Sequence, residues 1–302
     1  MYLNCKTYFS YRYGTFATEE LVKAGADMGA NVMALTNINT TADSWDFYDF
    51  CHQQGVKPIL GTEIRNGDAF QYVLLARNLS GFTEINRFLS KYLQAGEEFP
   101  ARPATAADGG DAALPGAPDA VLRNVWVIYA LNTIAAEDLG DHELIGVKPS
   151  EVNRLYGKSV QSHPEKYVLR HPVTYQAPPM GVKPHLNESY RLHRLLRAVA
   201  KNTLLSKQQA GEIAPPDEYF QAAAQLMTTF QAYPSLLTRT LQVADSCQVD
   251  MELSGDKTKK HFTSSAADDV ILLEKLALDG FKYRYGNRKD ALTRIRKELK
   301  II

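Results

Sequence analysis

The sequence lacks long apolar runs, an excess of either charge and more than a few cysteines. No stretch approaches the roughly 20 apolar residues that cross a bilayer, which argues against a membrane protein. Lys plus Arg and Asp plus Glu both number 34, so no broad phosphate-binding surface is predicted. The 3 cysteines have no CxxC spacing and predict reduced thiols rather than disulfides or a zinc site. We therefore expect a soluble, cytoplasmic protein.

What the sequence does have is a regular alternation of strand-like and helix-like segments over residues 2–64. This rhythm predicts parallel strands joined by helical crossovers. Ligands of such sheets bind at the carboxyl ends of the strands. The predicted strand ends are polar and lie at residues 4–6, 36–39 and 61–63. These ends are therefore the candidate functional site.

Later segments differ in character. Residues 97–123 are rich in Ala, Gly, Pro and Asp without apolar periodicity, which predicts a flexible insertion. Residues 125–131 and 167–175 are predicted to be further strands. Residues 186–200 have helical spacing, with an apolar set expected to face inward: Leu192, Leu195, Leu196 and Val199.

The last helix-like segment, 290–302, ends on two isoleucines without Gly, Pro or a polar cap. We therefore expect the chain to be an N-terminal fragment of a longer protein. Its expected organisation is one domain at 1–250 and the truncated beginning of another at 251–302.

Four consecutive segments resemble one known family. They are Tyr2–Gly14 (YLNCKTYFSYRYG), Leu35–Thr40 (LTNINT), Gly55–Glu63 (GVKPILGTE) and Leu74–Phe82 (LLARNLSGF). They resemble the PHP (polymerase and histidinol phosphatase) domain at the front of the bacterial DNA polymerase III alpha subunit, in a form similar to that of Bacteroidetes. Segments similar to the family's later elements follow in the same order, at 192–198 and 233–247, and then two that resemble the start of the polymerase palm, at 274–280 and 297–302.

The resemblance implies an α/β fold, a distorted (β/α)7 TIM-like barrel followed by a short, mostly helical segment. It also implies a parent DNA-directed DNA polymerase that uses Mg²⁺, with no cofactor in this fragment. The implied partners are the remainder of the alpha subunit, DNA through the polymerase and, as in some bacteria, a separate proofreading exonuclease.

The resemblance also locates a vestigial site. Active PHP domains use His, Asp, Glu and Cys ligands for metals that activate water against a phosphoester. The matching positions in this chain are Asn4, Lys6, Asn37, Ile38, Glu63, Gln71, Leu131, Pro178 and Met180. Of these only Glu63 keeps a family ligand, and a lysine ammonium has no free lone pair for a metal. We therefore expect no bound metal and no catalytic residue, with Lys6 and Glu63 forming an ion pair across the barrel mouth.

Three functions remain as hypotheses. The leading one is a non-catalytic PHP scaffold and docking module of the replicative polymerase. The alternative is a working metal-dependent PHP phosphoesterase or 3′–5′ proofreading exonuclease, which the missing ligands disfavour. A free-standing relative of histidinol phosphatase shares the fold and is disfavoured by the same losses and by the palm-like tail.

Overall fold

The computed structural model describes residues 1–105, 121–156, 160–251 and 261–302. The chain divides into two compact units, Met1–Met251 and Glu252–Ile302. The first unit contains all of the strands in the described ranges, and the second contains two helices.

The strands are β1 (Tyr2–Cys5), β2 (Val32–Leu35), β3 (Lys57–Asn66), β4 (Ala69–Ala76), β5 (Val125–Ala130), β6 (Glu143–Val147), β7 (Tyr167–Leu169) and β8 (Pro172–Val173). The helices are α1 (Thr18–Asp27), α2 (Ser44–Gln53), α3 (Leu79–Ala95), α4 (Glu188–Lys201), α5 (Ala223–Thr229), α6 (Pro234–Asp245), α7 (Ala266–Tyr285) and α8 (Lys289–Glu298).

The strands lie in the order β7-β6-β5-β4-β3-β2-β1-β8. β4 pairs antiparallel with both of its neighbours, and the other pairs are parallel. β7 pairs with β6, whereas β8 pairs with β1 at the opposite edge. Only Arg170 and His171 separate β7 from β8, so residues 167–173 act as one strand that joins the two edges. The predicted distorted seven-stranded barrel is therefore confirmed.

The interior of the barrel is apolar towards the amino ends of the strands. Side chains on one face of successive strands meet there, as the two-residue period of a strand requires. They are Leu3, Val32, Ala34, Ile59, Val73, Leu75, Trp126, Ile128, Leu144 and Val168. Val243, Ala244 and Cys247 from the end of α6 pack against them, and Lys57 Nζ donates to the Ala244 carbonyl at 2.9 Å. The amino end is thereby covered by protein, and the polar side chains gather at the carboxyl end.

Helix α4 presents a different face from the one predicted, and of the four residues expected to face inward only Leu196 is partly buried. Leu192, Leu195 and Val199 are about half exposed, at 47%, 50% and 57%. His193 and Arg197 are buried instead. The physical reason is that these two polar side chains find partners inward: His193 Nδ1 lies 2.7 Å from the Tyr13 carbonyl, and Arg197 Nε donates to the Glu212 carbonyl at 2.7 Å. Apolar spacing alone thus indicated the wrong face.

The ends of the predicted insertion pack on the barrel. Phe99 is buried, and its backbone exchanges two hydrogen bonds with the Asn66 side chain, at 2.8 and 2.9 Å. Leu122 is buried and Thr105 forms a bridge with it. The middle of the insertion, 106–120, lies outside the described residues, and the prediction of flexibility is not addressed there.

The second unit is helical over residues 261–302, in agreement with the predicted short helical segment. The Ser265 hydroxyl accepts from the Asp268 N–H at 3.2 Å and caps α7. α7 ends at Gly286, which has a φ of 58°. Over the described ranges of the chain, no helix combines the length and apolarity that a bilayer crossing requires.

Gly61 should be intolerant of substitution because β3 and β4 approach closely there. A Cβ at Gly61 would lie 2.1 Å from the Leu74 carbonyl oxygen and 3.0 Å from a Leu75 methyl group. We expect Gly61→Ala to lower the free energy of unfolding by about 1–3 kcal/mol or more, as overpacking does.

Urea unfolding followed by tryptophan fluorescence measures this effect in the first unit, since both tryptophans, Trp45 and Trp126, belong to it. Gly211→Ala is the matched control, because a Cβ there meets nothing within 4 Å. Equal unfolding midpoints for the two variants would contradict the prediction.

Candidate functional site at the barrel mouth

The carboxyl ends of β1, β2 and β3 form a buried polar network. Asn4, Lys6, Thr36 and Glu63 each have at most 1% of their surface exposed. The register of β1 shifts between Tyr2 and Cys5. Such a bulge re-aims side chains, and here both Leu3 and Asn4 reach the barrel interior. The network therefore depends on an irregularity that strand alternation does not predict.

Glu63 is the centre of this network. Its Oε2 lies 2.8 Å from Lys6 Nζ and accepts from Asn4 Nδ2 at 2.8 Å. Its Oε1 accepts from Arg65 Nε at 2.6 Å. Lys6 also donates to Asn4 Oδ1 at 3.0 Å. The predicted Lys6–Glu63 ion pair is confirmed, and Arg65 extends it to a carboxylate between two cations.

The electrostatics keep Glu63 ionised. Burial alone would raise its pKa, but the charges of Arg65 and Lys6 and the hydrogen bonds from Lys6 and Asn4 hold the pKa well below its usual range. For Arg65, burial opposes the charged form, and Glu63 more than compensates, so the pKa is raised. Both oxygens of the carboxylate are thus engaged by nitrogen donors.

Asn37 organises the loop after β1 instead of facing Glu63. Its Oδ1 accepts from the Thr7 N–H and the Ser10 hydroxyl, both at 2.8 Å, and its Nδ2 donates to Thr7 Oγ1 at 3.0 Å. Ile38 donates its N–H to Ser10 Oγ at 3.1 Å and forms a bridge with Glu63. These two residues position loops, and neither offers a free ligand atom.

The remaining predicted positions lie outside the network. Gln71 Nε2 donates to the Ala69 carbonyl at 3.3 Å. Leu131 packs on the apolar core around the barrel. Pro178 is half-buried and Met180 is fully exposed. The structure therefore brings together Asn4, Lys6 and Glu63, with Asn37 and Ile38 next to them.

Four further charged residues at the mouth were missed by sequence reasoning. Arg65 lies two residues after Glu63, and the two-residue period of a strand could have indicated it. Lys148 and Arg170 follow Gly146 and Val168 on the inward face of their strands by the same rule. Glu218 has no local signal: it comes from a loop, where its Oε2 accepts from Thr174 Oγ1 at 2.7 Å and its Oε1 lies 3.9 Å from Lys148 Nζ.

Comparisons with known proteins identify a family and several relatives of this chain. The model of the PHP domain matches residues 3–114. This chain contains a PHP domain. An error-prone DNA polymerase of Symbiobacterium thermophilum is 21% identical over 100% of this chain and 30% of its own length. The DNA polymerase III subunit alpha of Bacillus subtilis is 22% identical over 100% of this chain and 28% of its own length. The chain thus spans about a third or less of these relatives, in their N-terminal region.

The side chains of this PHP domain do not fit the metal cluster that the family resemblance implies. Lys6 and Arg65, at two of the positions closest to Glu63, are cations without a lone pair to share. Across the described ranges, no group of three or more His, Cys, Asp or Glu side chains is placed to hold a metal. No reaction step through a metal can be derived from these residues.

Removing either partner of the Lys6–Glu63 pair should destabilise the PHP domain. Breaking a buried ion pair typically costs about 3–5 kcal/mol because the other charge is left buried. We expect Lys6→Met and Glu63→Gln to be less costly together than the sum of the two, with a coupling of about 1–3 kcal/mol.

The double-mutant cycle is measured by urea unfolding. Gln53→Ala is the control, since it removes only an exposed hydrogen bond to Asp49 and should change stability by less than about 0.5 kcal/mol. Additive effects of the two substitutions on the free energy of unfolding would show that Lys6 and Glu63 are not coupled.

His193 fixes α4 to the loop that carries Tyr13. Its Nε2 accepts from the Ala214 N–H at 2.9 Å, so the neutral ring carries its proton on Nδ1 and donates to the Tyr13 carbonyl at 2.7 Å. Burial lowers the pKa of His193 to about 4, against a hydrogen bond to Tyr13 that raises it. A proton on Nε2 would break the bond to Ala214.

The PHP domain should become less stable as the pH is lowered, because of His193. Between about pH 6.5 and about pH 4 the unfolded histidine binds a proton that the folded one excludes, so stability decreases as the pH falls. This amounts to about 2 kcal/mol between about pH 7 and about pH 5. Glu63 does not contribute to this pH dependence. Its pKa is lowered in the folded state, so the stability that it provides is lost only below about pH 4.3.

Urea unfolding of the parent and of His193→Gln at both pH values measures this slope. His171, whose pKa burial also lowers, is present in both proteins and cancels in the comparison. Identical pH dependence in the two proteins would rule out the assigned role of His193.

Proposed function

We propose that this PHP domain is a non-catalytic scaffold and docking module of a DNA polymerase III alpha subunit. The observation that carries the proposal is that both carboxylate oxygens of Glu63 are already engaged. Glu63 is the one family ligand that remains, and its two oxygens are bound by Lys6, Asn4 and Arg65. A metal would have to displace two cations that hold the carboxylate in a buried site, which electrostatics opposes.

The exposed apolar face of α4 supports the docking part of the proposal. A surface cavity of about 390 Å³ beside this helix is lined by Leu192, Leu195 and Leu205 together with Glu188, Arg191 and Arg194. An apolar patch with a charged rim is typical of an interaction surface. We assign it to the remainder of the polymerase.

The names of its relatives support a proposal for the activity of the whole protein. The similar proteins are named as error-prone DNA polymerases and DNA polymerase III alpha subunits, and each is more than three times as long as this chain. We propose that polymerisation, the Mg²⁺ that it needs, the contact with DNA and any contact with a separate proofreading exonuclease belong to such a parent protein in the cytoplasm.

Metal content tests the non-catalytic proposal. We expect the purified chain, incubated with zinc and manganese and desalted, to retain far less than one metal ion per molecule by elemental mass spectrometry. The same preparation should show no 3′–5′ degradation of labelled single-stranded DNA. Lys6 and Arg65 are the physical reason, since they neutralise Glu63 without a metal.

Two or three ions per chain would contradict the proposal. The variant Glu63→Gln then locates them: loss of metal in the variant places the ions at the mouth, and the active phosphoesterase becomes the better function. Retention in the variant places them elsewhere.

A further inference from the structure

The inner surface of the barrel contains an arginine whose guanidinium has no hydrogen-bonding partner among the residues that the structure describes. Arg170 lies between β7 and β8 and is 4% exposed. Its backbone N–H donates to the Val147 carbonyl at 2.9 Å, which fixes the residue in the sheet. Its Nε is enclosed without a partner, and within the described part of the chain no side chain or carbonyl accepts a hydrogen bond from its guanidinium. The Phe70 ring lies 4.3 Å from the guanidinium carbon. A buried donor left unpaired is costly.

Arg170 and Lys148 face the same space. Arg170 is two residues beyond the interior Val168, and Lys148 is four residues beyond the interior Leu144. Gly146 lies between them: a Cβ there would be 2.7 Å from Arg170 Cβ, so the arginine side chain runs across this glycine. Lys148 is 27% exposed, so it lies on the solvent side of the buried arginine.

The charges around this space do not balance. Four cations and two carboxylates face the mouth, a difference of 4 − 2 = +2: Lys6, Arg65, Lys148 and Arg170 against Glu63 and Glu218. Glu63 is engaged by Lys6 and Arg65, and Glu218 is 3.9 Å from Lys148, beyond hydrogen-bond distance.

One more carboxylate does not remove the excess. Glu151 accepts from the Lys148 backbone N–H at 3.0 Å, and counting it leaves a positive balance. Burial, followed by the charge of Arg170, lowers the pKa of Lys148, which agrees with two cations that share one space.

We propose that the barrel mouth binds a phosphate group directly through Arg170 and Lys148, without a metal ion. The planar guanidinium presents paired donors that match phosphate oxygens, and the ammonium of Lys148 adds a mobile point charge. A bound dianion supplies acceptors for the terminal nitrogens of the Arg170 guanidinium, which are not enclosed as Nε is, and offsets the excess charge. The inference rests on the metal-free mouth proposed above.

Binding is tested on the full chain in the presence of EDTA. The probes are inorganic phosphate and deoxyadenosine monophosphate, titrated at constant ionic strength and followed by isothermal calorimetry and by the phosphorus NMR line width. Saturable binding is expected, and Arg170→Met and Lys148→Gln should each weaken it at least tenfold. Lys23→Gln, on the exposed side of α1, is the matched control and should leave it unchanged.

Circular dichroism establishes that each variant folds. Should Arg170→Met fail to fold, Lys148→Gln decides the question, because its side chain is partly exposed. Binding of inorganic phosphate alone identifies a free anion as the ligand, and tighter binding of the mononucleotide identifies a nucleotide end. Both results support the proposal.

Absence of binding in EDTA, or binding that the two variants leave unchanged, overturns it. If the chain also takes up no metal, that result overturns phosphate binding and does not contradict the scaffold function. Binding that requires added zinc or manganese overturns both proposals together.

Discussion

The structure of the barrel mouth depends on one buried carboxylate. A charge at the position of Glu63 is tolerable only if donors from several strands converge on it, because removal from water costs several kcal/mol per ion. Asn4 belongs to β1, Lys6 directly follows that strand, and Arg65 belongs to β3 itself. Their convergence constrains the bulge in β1 and the register of β1 against its neighbours. The mouth is thus organised by charge neutralisation where the rest of the barrel is organised by apolar packing.

The sequence predicts those parts of this site that follow the apolar core of a strand. Lys6 and Glu63 each come directly after a clear apolar pattern, so their meeting at one end of the sheet could be inferred before the structure, although β3 continues beyond Glu63 to Asn66. Arg65 required only the two-residue period of β3. Arg170 and Glu218 could not be placed in this way, because their approach depends on closure of the barrel by residues 167–173 and on the loop that carries Glu218. Neither contact has a local pattern.

The reversed face of α4 shows how polar contacts override apolar periodicity. Leu192, Leu195 and Val199 have the spacing of a buried stripe, and burying them would be worth about 1.5–3 kcal/mol each at most. Turning the helix that way would expose or orphan His193 and Arg197, which have three hydrogen bonds to backbone groups between them. Unpaired polar groups cost a similar amount each, and the apolar stripe stays free to be covered by another protein surface.

The closure of the barrel and the positive charge at its mouth have the same structural origin, the junction between β7 and β8. β7 and β8 must separate because they pair with different edges, and the two residues between them point to opposite sides. His171 donates to the Tyr219 carbonyl at 2.7 Å, which ties the junction to the loop before α5. Arg170 is thereby directed inward, where it meets the carboxyl ends of the other strands. A cation at this junction cannot leave the interior without opening the sheet, so its charge has to be compensated from inside the mouth.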